Sequence, residues 1–369
     1  STTGDHGDNF SMRSFPLGRI GLQTKNPALL WLLTSLSGER VDSYAGFTNN
    51  VPLKSGGSAD KTIFSMLLAD SYRRARHPSQ LKPPPPTAFC EPQRGMVTFR
   101  SSWKPDATYA AFDGSQRSPA AQGHEHASGG HFMVSALGEY FAIGLGRYNM
   151  EQNCQNVVLI DGRSGRSTDG QWHMMKHAAV LLQYQPGEFV DFTGVDSSLQ
   201  HNCYYAKRHL ALVKGTEFPS YVWMVDDINK NNDWAEYWWQ LHTSPANQVR
   251  LYKTHASITG WRMGNHLDVH FVLPGIDEYR PSHRLKRLSV DQPTTSSYKY
   301  VSPSYTSNYV RGLAHPADQI HYSVLQHSRL VARIEGWNGR FMSILLPRLK
   351  NQAPSKVERI PSLPGSLAA

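Results

Sequence analysis

Three histidines fall within eight residues in the run Gly123-His124-Glu125-His126-Ala127-Ser128-Gly129-Gly130-His131-Phe132. Glycines let backbone approach a ligand closely, and imidazole serves as base, neutral hydrogen-bonding group or metal ligand. The same composition suits a histidine-rich surface turn, and the spacing does not choose between the two. Other reactive side chains are scattered. Asp161-Gly162 and Asp226-Asp227 stand at expected strand ends, where such residues form turns. Nothing fixes a carboxylate separation for glycoside hydrolysis, and the chain has neither a glycine-rich phosphate loop nor a nucleophile elbow. Trp238, Trp239 and His242 form an aromatic stretch that reads as sheet core rather than a sugar platform.

The elements that must carry this loop change character along the chain. Asn26-Pro27 is a cap followed by a first-turn proline, and Leu29, Leu30, Leu32, Leu33 and Leu36 complete a short buried helix before Gly38. A second helix is expected at about 58–77, with Ile63, Met66 and Leu67 on one face and Arg73, Arg74 and Arg76 in its last turn. Pro83 to Pro86 then enforce an extended segment that cannot continue a helix. Beyond it the hydrophobic period becomes two. Short runs at His131 to Ser135, Tyr140 to Ile143, Asn156 to Ile160, Ala178 to Tyr184, Leu210 to Lys214, Tyr221 to Val225, Val269 to Leu273, Leu330 to Ile334 and Phe341 to Leu346 are separated by Gly, Pro, Asn and Asp. Such spacing predicts an antiparallel sandwich or barrel.

Thirty-eight Lys and Arg against 29 Asp and Glu give a formal charge of +9, which favours polyanions as partners. No nucleic-acid motif accompanies the basic residues, so an acidic polysaccharide fits the charge better than DNA or RNA. Cys90, Cys154 and Cys203 imply no disulfide framework. No apolar run approaches the roughly 18 residues that a membrane helix requires, and no membrane partner is expected.

Taken in order, GHEHASGGHF, GEYFAIGLGRY and QNVVLIDGR resemble the β-sandwich signature of the heparinase II/III-like polysaccharide lyases. In that signature a His-x-His loop precedes a strand, an Asp-x-Gly turn and a His-Asn strand. Residues 95–103 and the run YVWMVDDI at 221–228 resemble flanking strands, so the similarity spans about 89–348. The resemblance implies a mainly β chain, an antiparallel sandwich preceded by a remnant of an α/α toroid. It divides the chain into terminal toroid helices at 1–82, a proline-rich linker at 83–88, the sandwich at 89–350 and a tail at 351–369. It also implies that most of the helical domain lies elsewhere, on a longer precursor or on a second chain, and that the protein is secreted or periplasmic.

The implied reaction is β-elimination at a uronic acid of alginate, a glycosaminoglycan or a similar polymer. Such a site must neutralise the carboxylate, supply a base and protonate the leaving oxygen. By motif position His124 is the catalytic candidate, with Glu125, Arg147 and Tyr148 contacting substrate. His126 corresponds to a ligand of a divalent metal, expected to be zinc. Its partners in the signature are replaced here by Gly144, which has no donor, and Gln155, which offers a neutral oxygen. Glu125, His131 or Glu151 would have to substitute; otherwise hydrogen bonds hold the loop. A uronate C5-epimerase, which shares the carbanion, and a non-catalytic carbohydrate-binding sandwich are the alternative readings.

Overall fold

A computed structural model describes residues 23–31, 74–116, 126–144, 151–166, 176–215, 218–273, 287–291 and 327–358. The chain divides into two compact units between Pro86 and Thr87.

In the first unit residues 27–31 are helical, and the Asn26 side chain accepts hydrogen bonds from the Ala28 and Leu29 amides as an N-cap. The Trp31 ring meets His77 edge-on, with centroids 4.6 Å apart. The expected helix at 58–77 lies for the most part outside the described residues, and its last three positions, 75–77, are not helical. A 3-10 turn at Pro78–Gln80 follows, closed by a capping box between His77 and Gln80.

The second unit is an antiparallel β-sandwich. Strands β1 (Ala88–Glu91), β2 (Met96–Arg100), β3 (Tyr109–Asp113), β4 (His131–Ala136) and β5 (Glu139–Ala142) form a meander in sequence order. An eight-stranded sheet has the order β12 (Gln248–Leu251), β13 (His255–Thr259), β14 (His266–Leu273), β17 (Asn338–Arg348), β10 (Tyr221–Asn229), β9 (Tyr205–Val213), β8 (Val190–Asp196) and β7 (Val180–Gln185). Strands β15 (Arg287–Asp291), β16 (Ser328–Gly336), β11 (Ala235–Thr243) and β6 (Val158–Ile160) form the third sheet.

The period-two pattern is the physical cause of this architecture. Along β17, Phe341, Ser343 and Leu345 are buried while their neighbours are half-exposed, because a pleated strand sends alternate side chains to opposite faces. The three sheets contribute to one continuous apolar cluster. Trp239 of β11 ties the cluster together: its ring lies 5.9 Å from Phe132 of β4 and 5.1 Å, edge-on, from Phe271 of β14. Trp239 and His242 are thus core residues, as their apolar context predicts, whereas Trp238 is half-buried with the Arg333 guanidinium 3.6 Å above its ring.

Asp161-Gly162 forms the expected turn after β6. Asp226-Asp227 does not. Both lie inside β10, and Asp226 occupies a core-facing position beside Met224 and Ile228. A buried carboxylate survives there because its direct cross-strand partner is Arg208 of β9, whose Nε donates to Asp226 Oδ1 at 2.6 Å.

Candidate functional site

The histidine-rich loop enters the described structure at His126 and runs into β4 at His131. Residues 126–131 are all buried, and backbone and side-chain hydrogen bonds fix them on several sides. The Asp113 carboxylate, at the end of β3, accepts from the Ser115 amide at 2.7 Å and from the Ser128 hydroxyl at 2.6 Å. The Ser115 hydroxyl donates to the His126 carbonyl at 3.0 Å. Gln200, in the short helix Ser198–His201, accepts from the Gly129 amide at 2.8 Å and donates to the Ser115 hydroxyl at 3.0 Å.

The glycines are required by this fit. A Cβ at Gly129 would stand 2.6 Å from Ala179 Cβ and 2.7 Å from Gln200 Oε1, and Gly130 has a left-handed φ of 83°. Arg208 completes the support. Its Nη1 donates to the carbonyls of Gly130 at 2.8 Å and Asn156 at 2.5 Å, while Nε is held by Asp226. One guanidinium therefore joins the loop, the segment before β6 and the inner face of the large sheet.

Asn156 is the second hub. Its side-chain amide donates to the carbonyls of Phe132 at 2.7 Å and Ile143 at 3.1 Å. Its oxygen accepts from the His242 amide at 2.6 Å and lies 3.0 Å from His242 Nδ1. Its backbone amide donates to His131 Nδ1 at 2.9 Å. These bonds assign both tautomers: His131 keeps its proton on Nε2, and neutral His242 keeps its proton on Nδ1. Gln240 extends the network, donating at 2.7 Å to the carbonyls of both Gln152 and Gln155 and accepting from Arg329 at 3.1 Å.

Electrostatics keep these histidines neutral. Burial, then the Arg208 cation, then His126 push His131 down to about 3. Burial and Arg208 push His201 down to about 4, against the pull of Asp196. Burial first, with Arg329 and His131 adding to it, holds His242 well below the ordinary imidazole range. Neutral at physiological pH and buried, His131 and His242 act as fixed hydrogen-bonding groups rather than as proton acceptors.

Of the residues singled out from sequence, His124, Glu125, Arg147 and Tyr148 lie outside the described residues. His126 is buried in the loop anchor, Gly144 and Gln155 are buried, and Glu151 is half-exposed beside the 3-10 turn Gln152–Cys154. The set does not fit a zinc centre of the kind the resemblance implies. Gly144 has no side chain, Gln155 brings no charge, and His131 spends its Nδ1 on the Asn156 amide. Among the described residues no group of three His, Cys, Asp or Glu side chains is arranged to hold a metal.

Sequence reasoning missed Arg208, Gln200 and Asn156 as organisers of the site. Only Asn156 carried a signal, as the Asn beside the departed histidine of the His-Asn strand. Arg208 and Gln200 gave none, since their partners lie 78 and 71 residues away.

No family model matches the chain, and no curated protein matches it in sequence. Solved structures do share its fold. A heparan sulfate lyase, HepC from Pedobacter heparinus, superposes with a TM-score of 0.56 at 13% identity, over 96% of this chain and 44% of its own. A heparinase III superposes with a TM-score of 0.51 at 13% identity, over 73% of this chain and 38% of its own. The chain thus spans less than half the length of either.

Proposed function

We propose that this chain is the sandwich-bearing part of a polysaccharide lyase that cleaves an acidic, uronate-containing polymer by β-elimination. The observation that carries the reading is the buried anchoring of residues 126–131 by Asp113, Ser115, Gln200, Arg208 and Asn156. Two further supports are the fold shared with a heparan sulfate lyase and a heparinase III and the excess of 9 positive charges. Residues 126–131 thus form a fixed base, and a fixed framework is what preorganised proton transfer demands.

In this reading His124 removes the proton α to the uronate carboxylate or neutralises that carboxylate, and Arg147, Tyr148 and Glu125 orient the sugar. The elimination breaks the C–H bond, whose electrons form a C=C bond as the glycosidic C–O bond breaks, and the departing oxygen takes up a proton, leaving an unsaturated uronate and a hydroxyl on the released chain. No metal-dependent step is included, because the donor set does not fit one. In the same reading, polypeptide outside these 369 residues supplies the remainder of the cleft, since this chain spans 44% of the lyase it superposes on, and an extracellular polymer as substrate would place the protein outside the cytoplasm, secreted or periplasmic.

The test is incubation of the protein with alginate, heparan sulfate and other polyuronides, following ultraviolet absorbance of the unsaturated product. Product from the wild type, lost in His124→Ala with an unchanged melting temperature, is the expected result. Absence of unsaturated product on every uronate polymer, with the full-length protein, would remove the lyase assignment. Solvent deuterium entering intact polymer instead would identify an epimerase.

A further inference from the structure

Two tryptophans stand on the surface of the sandwich, which is an uncommon place for so large an apolar ring. Trp234, in the connection that crosses from β10 of the large sheet to β11 of the third sheet, is 48% exposed, and Trp337, in the connection from β16 back to β17, is 53% exposed. They are neighbours, with ring centroids 5.9 Å apart and planes at 88°.

Their mounting is rigid. Tyr237, fully buried beneath them, donates its hydroxyl to the Trp337 carbonyl at 3.2 Å and accepts from the Lys230 amide at 3.3 Å. Asn229 donates to Asn338 Oδ1 at 2.6 Å and accepts from the Asn232 amide at 2.8 Å, tying the two inter-sheet connections together. Tyr204, 64% exposed, is joined to the same segment by its backbone amide, which donates to the Asn229 carbonyl at 3.2 Å.

We infer that Trp234 and Trp337 form a saccharide-binding platform that takes a pyranose of an extended polysaccharide chain. Three observations favour that occupant. First, the exposed ring area is small. Two rings about half exposed offer roughly 250 Å², far below the roughly 800 Å² per partner of a stable protein interface. Second, the rim is polar: the Lys230–Asp161 pair at 2.5 Å, the half-exposed Arg340–Asp227 pair at 3.2 Å, and the amides of Asn231 and Asn338. A pyranose has an apolar C–H face and a rim of hydroxyls, which such a ring and fringe complement.

Third, a chain of hydrogen bonds links the platform to the histidine loop. Asn231 Nδ2 donates to the Asn202 carbonyl at 3.4 Å, Arg166 donates to the Asn202 side chain, and the Arg166 amide donates to the Gln200 carbonyl at 2.7 Å. Gln200 holds Gly129. A hydrogen-bonded path therefore joins the segment that carries Trp234 to the histidine loop, and the platform would engage a sugar remote from the one that reacts. The identity of the polymer as a polyuronide rests on the lyase reading; the platform itself does not.

The double substitution Trp234→Ala, Trp337→Ala tests this, since both rings are exposed and their loss leaves the core intact. Binding of alginate and heparan sulfate, as long polymers and as short oligomers, is measured by calorimetry for wild type and variant, and each protein's mass in solution is recorded. Two ring contacts at about 0.5–1.5 kcal/mol each predict roughly tenfold weaker binding of the long polymers, with short-oligomer turnover and melting temperature unchanged. Unchanged affinity, no binding by the wild type, or a wild-type dimer that the variant abolishes while sugar affinity stays constant would each overturn the platform. Weakened polymer binding in a protein that makes no unsaturated product would keep the platform and discard the lyase.

Discussion

Asn156→Ala removes the side chain that joins β4, β5 and β11, and its cost follows from the bonds it breaks. Three buried backbone groups lose their side-chain partner, the carbonyls of Phe132 and Ile143 and the amide of His242, while the His242 ring keeps a backbone bond with Asn153. A stranded buried polar group costs about 1–3 kcal/mol, so even the lower figure for each gives roughly 3 kcal/mol. Domains of this size are stable by about 5–15 kcal/mol, so the variant folds with little reserve. Urea unfolding followed by tryptophan fluorescence measures the difference, with an unchanged denaturant slope expected because the surface exposed on unfolding stays the same. Asn156→Asp separates the two halves of the amide. It keeps the oxygen that accepts from His242 but replaces two donations with carboxylate–carbonyl repulsion. A carboxylate beside His242 also raises that imidazole's folded pKa, so this variant loses less at pH 5 than at pH 8. A loss below about 1 kcal/mol for the alanine variant, or the same pH dependence in both variants, would refute the assigned role.

Acid sensitivity is the second expectation. His131, His201 and His242 are depressed in the folded state, so their stabilisation is present above the ordinary value of 6.5 and is lost as pH falls below it. With His131 at about 3 and His201 at about 4, each forfeits about 2 kcal/mol between pH 7 and pH 5. Thermal midpoints that stay level across that window would contradict the buried neutral imidazoles. Chelation is the third: EDTA leaves the melting temperature within about a degree, and elemental analysis finds no stoichiometric zinc, since the loop is held by Arg208 and Asn156. Gly129→Ala forces a Cβ to 2.6 Å from Ala179 and 2.7 Å from Gln200 Oε1, so it displaces the loop, costs about 1–3 kcal/mol and removes most of the proposed lyase activity. Calorimetry alongside the unsaturated-product assay checks both.

The fold was legible in the sequence because strand periodicity is local. Alternation in β17 and the short runs between turn residues required only that neighbouring side chains point to opposite faces. The loop was legible for a related reason, since three histidines among glycines are contiguous. Asp226 was misread as a turn former because its type favours turns, and only Arg208 on the adjacent strand makes a core position tolerable. Distances along the chain explain the remaining omissions: Gln200 reaches Gly129, and Asn156 reaches His242, 71 and 86 residues apart.

Sequence alone thus determined strands such as β4, β10 and β17, the sandwich class, the departure of Gly144 and Gln155 from metal-ligand chemistry, and the place of the histidine loop, but not β8, β12, β13 or β15. What replaces those ligands was decided only in three dimensions. A hydrogen bond needs its two partners within about 3 Å, and the packing of three sheets is what brings Arg208, Asn156, Gln200 and His242 to that distance from the loop and from one another. The same holds for Trp234 and Trp337, whose exposure and pairing belong to two inter-sheet connections separated by about a hundred residues.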